Sequence, residues 1–139
     1  ALHGRLDGGA VVSVSVHGGN LSNPDGFFLK ITGTGGTLAI TPSPGSGPYL
    51  HWADWTINAT TVGGTPTNVA VPDRYRIVPA GVPAGPPAHV AALYREIAQA
   101  IAEGRQAHPS FHTATRHHRL LAAVERASET GARQQIAPE

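Results

Sequence analysis

The feature that most narrows what this chain can fold into is the hydrophobic period between Pro86 and Gly131. Val90, Leu93, Tyr94, Ile97 and Ile101 recur at the i, i+3, i+4, i+7, i+11 spacing of one face of a helix, and Gly104 stands where a left-handed C-terminal residue belongs. The spacing predicts a helix over 87–103. His108-Pro109 then breaks the pattern, and Thr113 is placed to cap a second helix whose Ala114, His117, Leu121, Val124 and Ser128 share a face up to Gly131. Each helix carries an apolar stripe, so an antiparallel pair of this kind has one face to bury against something else.

The preceding residues read as sheet. After the Gly8-Gly9 turn, Val12, Val14 and Val16 alternate with Val11, Ser13, Ser15 and His17, the period of a half-buried strand over 10–17. The turn formers of 18–26 lead into a strand over 27–32, and Gly33-Thr34-Gly35-Gly36 reverses it into a strand over 37–41, so the two form a hairpin. Residues 42–48, rich in Pro, Gly and Ser, form a surface loop. Residues 49–62 return to strand-like composition, and Gly63-Gly64-Thr65-Pro66 turns the chain back toward Val69 and Val71. Residues 79–87 alternate Pro, Gly and Ala, an extended linker to the first helix. Gln134 to Ile136 is a candidate short edge strand.

Strands first and helices last give an α+β fold: a largely antiparallel, open-faced β-sheet with two C-terminal helices packed on one face, in a single domain over 1–139. Val12, Val14, Val16, Leu29, Ile31, Leu38 and Ile40 are assigned to the helix side. The open side then carries Val11, Ser13, Ser15, His17, Phe28, Lys30 and Thr32, a mixed surface expected to meet another subunit or domain.

Composition removes several function classes. There is no cysteine, so thiol catalysis, iron–sulfur clusters and thiolate zinc are excluded. The formal net charge is +1, Lys30 is the only lysine and the arginines are scattered, which predicts no nucleic-acid footprint. No apolar run approaches the ~20 residues that span a bilayer, and the reading is of a cytoplasmic protein without membrane association. The chain lacks methionine and opens on Ala1-Leu2-His3, as a fragment of a longer protein would.

The remaining chemistry is incomplete. Gly33 to Leu38 has the look of a dinucleotide loop, but Leu38 replaces the third glycine and a strand follows where a helix is needed. His108, His112, His117 and His118 crowd together without an HExxH or an acidic ligand at useful spacing, so no metal site is assigned. The carboxylates form no acid/base couple and the serines have no nucleophile-elbow context. Trp52 and Trp55 flank Asp54 in a way that suits a sugar ring, although tryptophans on strand-like sequence more often pack. His17, at a strand end, faces a substrate pocket if a second domain abuts it. No catalytic or cofactor-binding residue is assigned.

The order of certain residues nevertheless has a counterpart. Ala100-Ile101-x-Glu103-Gly104-Arg105, Pro109-x-Phe111, Ala114, His118, Leu120-Leu121, Ala123 and Ala127-Ser128-x-x-Gly131-x-Arg133 resemble the C-terminal helices of the Gfo/Idh/MocA sugar and polyol oxidoreductases. Gly8-Gly9-Ala10-Val11, Ser15-Val16-His17-Gly18-Gly19 and Ile31-x-Gly33-Thr34-x-Gly36-x-Leu38 resemble the sheet of the same domain. Tyr75, Pro79 and His89-Val90-Ala91-x-Leu93-Tyr94 fit the subgroup related to the fungal galactose-regulon repressor. The resemblance implies a parent whose own N-terminal Rossmann domain holds NAD or NADP and carries the catalytic lysine. This chain would then bind no cofactor itself, line a sugar or polyol pocket with His17, Trp52 and Trp55, and form a homo-oligomer through Val11, Ser13, Ser15, Phe28, Lys30 and Thr32. Two alternatives stay open: a non-catalytic sensor of the same fold, and a carbohydrate-binding module built on the two tryptophans.

Overall fold

The computed structural model describes residues 1–17, 26–47 and 49–136. Gly18 to Asp25, most of the expected turn run, and Pro48 of the expected loop lie outside the described residues. The chain divides into two compact units, one comprising Ala1–Asn20 with Gly104–Glu139 and the other Leu21–Glu103.

In the first unit β1 (Leu2–Arg5) pairs antiparallel with β2 (Val11–Val14), in a register that sets Leu2 against Val14 and Arg5 against Val11. The expected Gly8-Gly9 turn closes this hairpin, with Leu6 and Gly9 exchanging a backbone hydrogen bond of 2.8 Å. Helix α2 (Phe111–Thr130) belongs to the same unit. Its cap is Ser110, three residues ahead of the expected Thr113. The Thr113 N–H donates to Ser110 Oγ at 3.3 Å and the Ser110 N–H donates to Thr113 Oγ1 at 3.4 Å, so Thr113 closes a reciprocal capping box from inside the helix. Gly131 ends the helix at φ 65°, ψ 10°, as the sequence predicts.

In the second unit β3 (Leu29–Gly33), β4 (Gly36–Pro42), β5 (Trp55–Thr61) and the two-residue β6 (Thr67–Asn68) form one antiparallel meander in chain order. Residues 33–36 make the predicted hairpin turn, Gly33 facing Gly36. Only glycine fits at position 36. Its φ is +143°, and an added Cβ would lie 2.1 Å from the Thr60 carbonyl oxygen of β5. A 3₁₀ turn follows at Asp73–Tyr75, and α1 (Pro86–Glu103) completes the unit.

The α+β class, the antiparallel strands and the two C-terminal helices are those expected. The strands are shared between two sheets, however, where one was expected, and Gln134 to Ile136 forms no strand. The first sheet pairs β2 with β1, a strand the alternation did not announce, and β2 stops at Val14, short of the expected His17. Within the second unit α1 is tied to the 49–54 turn and to Ile77, whose carbonyl accepts from Arg95 Nη1 at 2.5 Å, and the broad element contacts are all between paired strands. Leu29, Ile31 and Leu38, assigned to the helix-covered side, are therefore exposed, Ile31 by 52%.

The consequence is a fold whose ladders are complete and whose core is small. Among the described residues the buried apolar side chains are Ala53, Ala100 and Ala123, while twenty-four large apolar side chains are exposed. The accessible surface is 11183 Å².

Candidate functional site

The tryptophans, which the sequence sets three apart, fold into different surroundings within the second unit. Trp55 opens β5, opposite Pro42, and its ring meets Phe27 edge-on, with centroids 5.1 Å apart at 73°. It is half-buried packing. Trp52 belongs to a turn that sequence reasoning read as strand. Its N–H and that of Ala53 both donate to the Tyr49 carbonyl, at 3.0 and 2.9 Å, which bends the chain before β5 can begin. The two tryptophans therefore have different ring partners, Phe27 for Trp55 and Tyr49 with His51 for Trp52.

The bend gathers aromatic rings that spacing alone did not single out. Trp52 lies 5.7 Å from Tyr49 at 74° and 5.3 Å from His51 at 70°, and Tyr49 lies 6.0 Å from His51 at 38°. The signal in the sequence was a short run, Tyr49-x-His51-Trp52, directly after a Pro/Gly/Ser loop. Such a loop commonly ends in a turn, and a turn places residues one and three apart on one side. The backbone beneath the rings is fixed. Asp54 accepts at its carbonyl from the Ser43 N–H at 2.7 Å and from Ser46 Oγ at 3.3 Å, Ser43 Oγ lies 2.9 Å from Thr56 Oγ1, and Ala53 is buried. From α1, His89 Nδ1 sits 3.1 Å from the His51 carbonyl, which can only accept, so Nδ1 carries the hydrogen. Gly85, buried at the head of α1, has φ +79° and leaves 3.2 Å between an added Cβ and the Trp52 carbonyl oxygen.

His17 lies in the first unit, exposed beyond the end of β2, with its Nε2 2.9 Å from Ser15 Oγ. Val11 and Ser13 are exposed on β2. In the second unit Phe28 precedes β3 and is exposed, as are Lys30 and Thr32 on the strand, and Thr32 Oγ1 lies 3.3 Å from Thr37 Oγ1 across the hairpin. Among the described residues no group of three or more His, Asp or Glu is placed to hold a metal ion, and no helix is long and apolar enough to cross a membrane.

The Gly33–Gly36 loop joins two strands, so it opens no helix whose amides would point at a phosphate. Helix α1 begins Pro86-Pro87, two residues without an N–H, and the Ser110–Thr113 box occupies the first turn of α2. No family model, no curated protein and no solved structure matches the chain.

Proposed function

We propose that this chain is the substrate-side and subunit-contact domain of an NAD(P)-dependent sugar or polyol oxidoreductase of the Gfo/Idh/MocA type, inactive by itself and cytoplasmic, with dinucleotide and catalytic lysine supplied by a Rossmann domain of the same polypeptide. The observation that carries the reading is the uncovered apolar surface. In the second unit Ile31 on β3 and Val90, Leu93, Tyr94 and Ile101 on α1 all stand exposed, where an uncovered apolar patch of this kind marks a surface that meets other polypeptide. Paired ladders and a capping box on α2 stand beside helices and a β3 whose apolar residues are exposed, and such surface is suited to being covered by other polypeptide. The motif order of residues 100–133 supports the family, while Val11 and Phe28, expected on one open sheet face, are exposed in different units and would meet other polypeptide separately.

The test is a pair of preparations. The 139-residue chain is expected to reduce neither NAD nor NADP with any neutral sugar, to bind a fluorescent apolar dye, and to self-associate in light scattering. A polypeptide carrying this chain behind its Rossmann domain is expected to oxidise a sugar and to bind the dye weakly. A dye-silent monomer from the first preparation would sink the reading, as would sugar oxidation by it.

A further inference from the structure

The turn holding Trp52 combines an immobilised backbone with rings left in water. Backbone bonds to Tyr49 and Ser43, the buried Ala53 and the His89–His51 bond fix it from within. Its side chains receive no such cover: Trp52 is 55% exposed and Tyr49 46%, and His51 is exposed beside them. Rings that serve only to fill a core are buried, whereas rings held still at a surface offer contact area at little entropic cost on binding. The angles add a shape. Tyr49 and His51 each meet the indole at 70° or more, so the three rings form a corner and not a flat stack.

We propose that this Tyr49–His51–Trp52 corner is a platform for the apolar face of a neutral sugar ring. The charge of the surroundings selects the ligand class. Between Lys30 and Arg74 the sequence has no lysine or arginine, and its charged residues are the carboxylates Asp54 and Asp73. The turn itself therefore offers a phosphate, sugar acid or nucleic acid no lysine or arginine as countercharge; Lys30 stands on β3, and Arg95 of α1 is engaged with the Ile77 carbonyl. A neutral saccharide has C–H faces that suit indole and phenol rings, and hydroxyls that suit the phenol O–H, indole N–H and imidazole at their rims. Proline-rich peptides also dock on aromatic residues, but along elongated grooves. Here the three rings come from positions 49, 51 and 52 of one turn, a footprint for a single ring. The inference deepens the oxidoreductase reading and rests on it only for the choice of sugar as substrate.

The experiment uses the protein labelled with 5-fluorotryptophan, in which Trp52 and Trp55 each give one fluorine resonance, assigned with Trp52→Phe. Titration with neutral hexoses and inositol is expected to move the Trp52 resonance saturably and to leave Trp55 in place, and Tyr49→Ala is expected to weaken binding about tenfold. Stationary resonances at the solubility limit of every sugar would overturn the proposal. So would movement of Trp55 alone, or a proline-rich peptide moving Trp52 where sugars do not. NAD(P) reduction is a separate readout. Sugar-dependent shifts without turnover in the Rossmann-bearing polypeptide keep the platform and sink the oxidoreductase reading. Turnover with the same KM in Trp52→Ala sinks the platform and keeps the reading.

Discussion

Strands β4 and β5 pair over seven residues each, and six of the seven in each strand are half-buried. Helices α1 and α2 are just as complete along their backbones, ending on Gly104 and Gly131 at φ 64° and 65°, yet each buries one residue, an alanine. Phe111 stands at the start of α2 and is 94% exposed, and Ile101 near the end of α1 is 76% exposed. The difference separates two forces that usually act together. Hydrogen-bond ladders and caps close within a short stretch of chain, whereas hydrophobic burial needs a second surface of matching area. The centre of the meander gets that surface from its neighbouring strands and the 43–54 segment. The helical stripes do not.

The sharpest way to break this contrast is at Gly36. Gly36→Ala forces a Cβ into the Thr60 carbonyl in a backbone region that side chains avoid, so it should destabilise the meander by about 3 kcal/mol, read as a fall in the urea midpoint. Wild-type-like stability would mean that the hairpin is not held as described. Next comes Trp55→Ala, which removes a half-buried ring and its Phe27 contact at about 2 kcal/mol, against under about 1 kcal/mol for Trp52→Ala. Equal losses from the two tryptophans would erase the distinction between packing ring and platform ring. Ser110→Ala should cost about 1 kcal/mol by opening the capping box, seen as faster amide exchange in the first turn of α2. The smallest effect is expected at Ile101: Ile101→Asp should change stability by no more than about 0.5 kcal/mol while reducing self-association in sedimentation. A large loss of stability there would show that the helical stripe is already buried against its own chain.

What was legible in the sequence follows the same division. The helix ends at Gly104 and Gly131, the hairpin at 33–36 and the Gly8-Gly9 turn are decided by local sterics, and the structure has each where the pattern puts it. Strand β1 was missed because Leu2-His3-Gly4-Arg5 holds a single large apolar residue and no β-branched one, so its pairing with β2 sets it more than its own propensity does. The cap of α2 was placed one turn late because both Ser110 and Thr113 are cap formers, and only their reciprocal bonds tell which stands outside the helix. The aromatic corner was half visible. Trp52 was singled out, but 49–54 has the composition of a strand, and the bend arises from two amides converging on the Tyr49 carbonyl, which spacing does not encode. Partnership between distant elements was the least legible, since alternation in Val11 to His17 says which residues share a face and nothing of which strand lies alongside.

Gly85 links the two regions contrasted above. At φ +79°, a side chain at this residue, which immediately precedes α1, would come within 3.2 Å of the Trp52 carbonyl oxygen, so glycine lets the head of the helix lie close beneath the turn that carries the rings.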